Sequence, residues 1–290
     1  MLTVGIVGIG NMGSAITARL LERAWPVAVH DVDARRESDA RALGAKVCGT
    51  PGECGAAAQV LLVCVVDAAQ TEAVLFGPNG AAGTLRQGAC VMLCPTIAPA
   101  DTERFAAELA ERGIDCIDAP MSGGPARARD GGMSLMVACA DAVYERHRLL
   151  IETMSSKVFR VGQRLGDGAR TKLVNNLLAG INLAGAAEAI ALAERIGLDG
   201  GHTLDVIEQS SGQSWIGSDR MRRALAGDLA PRAHTSLLNK DTHLALEMAR
   251  DAGFSPPLGA AAAASFARAC AAGFDALDDA SLVELLRRLG

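Results

Sequence analysis

The residues best suited to moving a proton are Lys172 and Asn176, which lie four apart in the stretch from Gly168 to Gly197. That stretch has no proline, is rich in alanine and leucine, and closes on a glycine, which together predict one long helix. Residues four apart share a helix face. Leu173, Val174, Leu177, Leu178, Ile181 and Leu183 make the helix apolar on nearly every side, so it is expected to be mostly buried. A buried lysine loses hydration of its charged form and its pKa falls. In that state it can take and give a proton near neutrality. The plainer alternative is that Lys172 lies on the one wet edge of a structural helix.

Two other stretches carry binding chemistry. Asp118-Ala119-Pro120-Met121-Ser122-Gly123-Gly124-Pro125 offers a hydroxyl and two bare glycine amides. Such a loop can hold a carboxylate, or it is an ordinary Ser-Gly-Gly turn. Arg127 and Arg129 follow, either as positive charge for an acidic substrate or as surface residues. At the start of the chain, Gly8-Ile9-Gly10-Asn11-Met12-Gly13 stands between the apolar run Thr3–Val7 and a helical pattern at Ala15, Ile16, Leu20 and Leu21. This G-x-G-x-x-G spacing permits a tight turn, close approach of a pyrophosphate and close helix–strand packing, with the helix N-terminus facing the phosphates. A second strand, Val27–His30, ends at Asp31, where a carboxylate accepts from both ribose hydroxyls and repels a 2′-phosphate. NAD is therefore expected rather than NADP. Arg35 and Arg36 are the counter-evidence, because guanidinium groups could serve a phosphate; the alternative is a solvated helix start.

The elements that must position these groups alternate. Helices are expected over Arg36–Leu43, Asp67–Phe76 and Ala100–Arg112, and strands over Val60–Val66, Ala89–Cys94, Asp115–Ile117 and Val158–Gly162. The pattern predicts an α/β Rossmann domain built on a doubly wound parallel sheet. Ligands of such sheets sit at the strands' carboxyl ends, which selects Val65, Val66 and Thr96 as neighbours of the nicotinamide half. Beyond Gly166–Gly168 the chain reads as helical to its end, over Thr203–Ser210, Ser218–Leu225, Ser236–Ala252, Gly259–Ala272 and Ser281–Leu289. The change of composition divides the chain into an NAD-binding domain, 1–163, and an all-helical C-terminal domain, 164–290. The apolar excess of the second half points to a subunit interface or to an alanine-rich core.

Composition narrows the class. The chain has 290 residues, half of them hydrophobic, and a net charge of −5. It has no basic footprint and few aromatic residues, which argues against nucleic acid as a partner. No apolar run reaches the roughly 18 residues expected of a membrane span, and no basic segment precedes the first strand, so a cytoplasmic protein is expected. The eight cysteines form no C-x-x-C pair, so neither a metal site nor a disulfide scaffold is expected.

Four stretches, Gly8–Gly13, Asp118–Gly124, Gly168–Asn176 and Lys240–Asp241, resemble in order and spacing the signatures of the β-hydroxyacid dehydrogenases. The resemblance spans the whole chain. It implies a Rossmann domain followed by a helical domain, with the active site between them and NAD as cofactor. It also implies that Lys172 is the catalytic lysine, that Ser122, Gly123, Gly124 and Asn176 hold the substrate, and that Thr96 and Lys240 face the cofactor and the closed cleft. Gln70–Gly77 and Ser210–Trp215 look most like the L-threonate dehydrogenase branch, where a basic residue falls at Arg127. The reaction implied is hydride transfer between nicotinamide and a small hydroxy acid; no metal is needed, because the lysine can polarise the oxygen, and the apolar helical half leads us to expect a homodimer or homotetramer. The rival substrates are 3-hydroxyisobutyrate and tartronate semialdehyde; the rival from another class is a non-catalytic NAD-binding protein. Pro95 departs from the serine usual before Thr96, and the imine reductases of the same fold usually lack the lysine.

Overall fold

The computed structural model describes residues 2–288. The chain forms two compact units, Met1–Lys172 and Leu173–Gly290. The first unit begins with β1 (Val4–Val7), α1 (Asn11–Glu22), β2 (Val27–His30), α2 (Ala34–Ala42), β3 (Lys46–Val47), α3 (Pro51–Ala57), β4 (Val60–Val63) and α4 (Ala68–Phe76). It continues with β5 (Cys90–Leu93), α5 (Pro99–Glu111), β6 (Asp115–Asp118), β7 (Met121–Ser122), α6 (Gly124–Asp130), β8 (Ser134–Ala138), α7 (Asp141–Met154) and β9 (Lys157–Gly162). Helix starts carry their own signals. Asp67 accepts from the Gln70 amide at 2.8 Å, and Thr50 accepts from the Glu53 amide at 3.1 Å just ahead of Pro51. Each side chain satisfies a first-turn donor that has no partner inside its helix.

The strands form one sheet in the order β3-β2-β1-β4-β5-β6-β8-β7, with β9 paired to β8. From β3 to β6 every pairing is parallel, and Val60, Leu61, Leu62 and Val63 are fully buried, as a strand covered on both faces requires. The sheet is mixed beyond that point: β8 runs antiparallel to β6 and β7 and parallel to β9. The Ser-Gly-Gly stretch and the helix after it are too short for a right-handed crossover and send the chain back along the edge instead. Apolar periodicity had marked neither α6 nor α7. The first is a single polar stretch opened by Gly123, and the second is charged along its outer face.

The helix α8 (Asp167–Arg195) is followed by α9 (Gly200–Glu208), α10 (Trp215–Leu225), α11 (Thr235–Asp251), α12 (Pro257–Ala269) and α13 (Leu282–Arg288). The last residue of the expected final helix, Leu289, lies outside the described residues. Leu183, Ile190, Leu204, Met221, Phe266, Leu282 and Val283 make the core of the second unit. A polar cluster includes residues next to this core in sequence. Asp278, fully buried, accepts from Arg223 Nη2 at 2.8 Å and from the amides of Arg232, Ala280 and Ala233.

Two expectations about α8 are corrected. It is not apolar-in on every side: Val174, Leu178, Leu192 and Ile196 are exposed and recur on one face, while Lys172, Leu173 and Asn176 are buried. It is also long and apolar enough, by length and composition, to cross a membrane, with 39% of its apolar window buried. Asn175, Asn176 and Asn182 interrupt any unbroken apolar run, but their cost is averaged away over the window.

Burial pushes the Asp278 carboxyl up, but Arg223 and the three amides outweigh it and hold the pKa below the ordinary range. Its contribution to stability is therefore present above the ordinary carboxylate pKa and is lost as pH falls from there through the lower folded pKa. Asp278→Ala leaves the buried Arg223 with only the partly exposed Asp219, 3.4 Å from its Nε, and strands the amides of Arg232, Ala233 and Ala280, so a loss of about 3 kcal/mol is expected. Urea unfolding at neutral pH measures it; a loss below about 1 kcal/mol removes the pair from the stability of this unit.

Candidate active site

The glycine fingerprint joins β1 to α1. Gly8 has φ +88°, and a Cβ on Gly13 would collide with the Gly8 carbonyl oxygen, so the turn closes only with bare backbone. Gly10 caps α1 with no side-chain hydrogen bond over the first turn. Ile9 lies buried below the turn, and the Ser14 hydroxyl donates to its carbonyl. Asp31, just past β2, accepts from the Ile9 amide at 2.7 Å and from the Asp33 amide at 2.9 Å. The fingerprint and Asp31, 22 residues apart in sequence, are thus one hydrogen-bonded unit. A carboxylate has further lone pairs for a ribose hydroxyl. Bare backbone at a helix N-terminus beside an acceptor carboxylate fits a dinucleotide.

Arg35 and Arg36 part company in the fold. Arg35 is almost fully exposed, while Arg36 Nη1 lies 2.7 Å from where a Cβ on Gly10 would stand. Arg36 therefore reaches over the fingerprint, paired at 3.7 Å with Asp33. Val32 beside Asp31 is 98% exposed, an apolar surface that no periodicity could single out. At the next strand ends, Val65 is half-buried, Val66 is exposed, and the Val66 amide donates to Gln70 Oε1 at 3.0 Å. Thr96 is half-buried beyond β5 and Pro95 is buried.

The Ser122 loop starts from β6. Ala119 donates to the Leu93 carbonyl at 2.8 Å and Met136 to the Pro120 carbonyl at 3.1 Å, which pins both sides of the turn into β7. Ser122 lies opposite Ser134, and Gly123 and Gly124 follow with φ +130° and +76°. Arg127 packs its side chain against Gly123, and Arg129 pairs with Glu22 of α1. The same loop begins with Asp118, 1% exposed, which accepts from the amides of Gly166 at 2.9 Å and Ala169 at 3.0 Å, with Gly168 adding a third. These amides open α8, one turn before the buried Lys172.

Farther along α8, in the second unit, Asn176 Nδ2 donates to Asp241 Oδ2 at 2.6 Å and Asn176 Oδ1 accepts from Asn175 at 3.0 Å. Lys240 Nζ pairs with the other oxygen of Asp241 at 2.7 Å. A Cβ on Gly180 would stand 2.8 Å from Thr242 Cγ2, so that glycine lets α11 approach closely enough for these bonds. Lys240 thus belongs to a defined network rather than to an isolated surface pair. The spacing had marked neither Asp118 nor Asp241 as a site residue, since their partners lie 48 and 65 residues away. Among the described residues no group of three or more His, Cys, Asp or Glu could hold a metal, and all eight cysteines are free.

A glycine-turn Rossmann sheet feeding a buried lysine on a long helix defines the class of nicotinamide-dependent oxidoreductases. Residues 3–162 match the family model for the NAD binding domain of 6-phosphogluconate dehydrogenase, and residues 166–286 match that for the NAD-binding of NADP-dependent 3-hydroxyisobutyrate dehydrogenase. The chain belongs to this family, the β-hydroxyacid dehydrogenases, and is an NAD-dependent oxidoreductase acting on the CH–OH group of a hydroxy acid. It is 38% identical, over 97% of its length and 95% of the relative's, to an L-threonate dehydrogenase of Cupriavidus necator. A solved 3-hydroxyisobutyrate dehydrogenase from Salmonella typhimurium superposes with a TM-score of 0.92 at 32% identity, covering 98% of this chain and 100% of that one. Another solved chain, Psf3 in complex with NADP+ and 2-OPP, gives a TM-score of 0.91 at 31% identity, covering 98% and 99%.

Burial pushes the Asp118 carboxyl up to about 6, against the opposing pull of its three amide donors. The folded pKa lies above the ordinary value, so the folded state binds the proton more tightly and loses stability as pH rises from about 4 to about 6. Asp118→Asn does not titrate. Relative to wild type its stability is expected to improve by up to about 3 kcal/mol across that window and to stay level above it. Thermal melts of both proteins from pH 4 to 7 check this; parallel curves would mean that Asp118 keeps an ordinary pKa.

Proposed function

We propose that this chain oxidises L-threonate to 2-dehydro-L-erythronate with NAD+. The observation that carries the substrate is the 38% identity to an L-threonate dehydrogenase over almost the whole of both chains. The bound nicotinamide supplies the hydride acceptor. Lys172, neutral at Nζ, takes the hydroxyl proton as the carbinol carbon is oxidised, and its ammonium form returns that proton in reduction. The Ser122 hydroxyl and the Gly123 and Gly124 amides hold the acid's carboxylate. Asn176, one turn along from Lys172, orients the lysine or the substrate hydroxyl, with its amide held by Asn175 and Asp241. Gly8, Ile9, Gly10, Asn11, Met12 and Gly13 hold the pyrophosphate and Asp31 the ribose. Val65, Val66, Thr96 and Lys240 serve the nicotinamide half.

The cofactor-binding domain is read as 1–163 and the substrate and dimerisation domain as 164–290. The exposed row of Val174, Leu178, Leu192 and Ile196 supports self-association to a dimer or tetramer. Eight free cysteines fit a reducing cytoplasm. A second reading, 3-hydroxyisobutyrate as substrate, is favoured by the fold match to a 3-hydroxyisobutyrate dehydrogenase.

NAD+ reduction followed at 340 nm with L-threonate, D-threonate, 3-hydroxyisobutyrate and glycerate tests the substrate, and turnover of another acid alone removes L-threonate. Lys172→Ala is expected to keep cofactor binding and lose turnover on the order of 10²-fold or more, as for a lost general acid–base. Wild-type-like turnover in that variant would take Lys172 out of the mechanism.

The cofactor preference is tested at the two groups beside Gly10. Asp31→Ala is expected to weaken NAD+ roughly tenfold or more and to narrow the gap to NADP+, since a charge-assisted bond and a repulsion are lost together. Adding Arg36→Ala should then cost NADP+ alone. Titration of each variant with both cofactors reads the outcome; an unchanged preference in Asp31→Ala assigns the discrimination elsewhere.

A further inference from the structure

We propose that Asp118 is a positioning residue for the reaction, setting where Lys172 presents its amine by holding the first turn of α8 from the end of β6. The inference rests on Lys172 as the acid–base group. Asp118 is the last residue of β6, with Cα partners Leu93 and Ala138 on the two flanking strands. Both partners are buried. Its carboxylate is therefore fixed by the sheet, and it accepts from the amides at Gly166, Gly168 and Ala169. These donors lie at the start of α8, where amides have no partner inside the helix.

The fit is close. A Cβ on Gly168 would stand 2.8 Å from the Asp118 carboxyl carbon, so any larger residue there moves the helix or the carboxylate. Lys172 follows Gly168 by four residues and so lies on the helix face that Asp118 holds. The same aspartate starts the segment that reaches Ser122 four residues later, and that segment is pinned by the Ala119–Leu93 and Met136–Pro120 bonds. One carboxylate thus fixes both the lysine and the loop proposed to hold the substrate, and a shift of about 1 Å at such a point is enough to impair catalysis.

The experiment is a double-mutant cycle. Asp118→Asn replaces an accepting oxygen with a donor, and Gly168→Ala keeps the carboxylate but displaces it. Each is made in the wild-type and in the Lys172→Ala background, and turnover is measured with the hydroxy acid found active, alongside the NAD+ dissociation constant. In the wild-type background each is expected to lower kcat on the order of tenfold or more, with KM for the acid and the NAD+ constant within about twofold. In the Lys172→Ala background neither should lower the residual rate further, because a residue that acts through Lys172 has nothing left to act on. Equal losses in both backgrounds, no loss in either, or variants that no longer hold NAD+ would each overturn the proposal. Full turnover in Lys172→Ala alone would instead overturn the reading of the lysine, whatever Asp118 does.

Discussion

A single buried carboxylate meeting three backbone amides connects the sheet of this protein to its longest helix. Asp118 has almost no access to water, and burial alone would drive it neutral. Its amide donors pull the other way, because hydrogen bonds to the charged form favour that form. The amides gain as well, since the opening turn of α8 has no internal acceptors. Each side satisfies groups that would otherwise be costly to bury. Gly168 is what allows the approach, and the buried neighbours Leu93 and Ala138 keep the carboxylate from retreating.

The cofactor end of the first unit obeys a similar logic with the signs arranged differently. The glycine turn brings bare backbone together, and Asp31 accepts from one of its amides, so the acidic residue braces the turn. Arg36 then lies over Gly10. A carboxylate and a guanidinium thus flank the same few ångströms of backbone. Asp33 pairs with Arg36 at 3.7 Å, so the guanidinium over Gly10 is itself tied to a carboxylate of the same helix start.

In the second unit the polar residues of α8 and α11 find each other because Gly180 removes the side chain that would separate the helices. Asp241 takes a hydrogen bond from Asn176 and a charge from Lys240, so Asn176 and Asp241 are buried with their bonds made, beside a half-buried Lys240. Asn176 cannot turn its amide without losing a partner at each end, because Asn175 holds its oxygen. A side chain fixed in this way has already lost its rotamer freedom in the folded chain. The Arg223–Asp278 pair likewise buries opposite charges together elsewhere in the unit.

Local chemistry in the sequence determined most of the elements and the class of reaction. The G-x-G-x-x-G turn, the apolar strand Val60–Val63 and the long alanine-rich helix are each defined by neighbours a few residues away, and periodicity reads such neighbours directly. The family followed from four motifs in order. Tertiary structure alone decided the rest. The antiparallel return at β8 depends on how Gly123 and Gly124 turn the chain, and the exposed row on α8 depends on which helices pack against it and which do not. Arg35 and Arg36 look alike in sequence, yet only Arg36 reaches Gly10. Asp118 and Asp241 were visible as letters inside recognised motifs, but their work is done on amides and side chains dozens of residues away. A hydrogen bond needs its partner within about 3 Å, and sequence spacing carries no record of that distance.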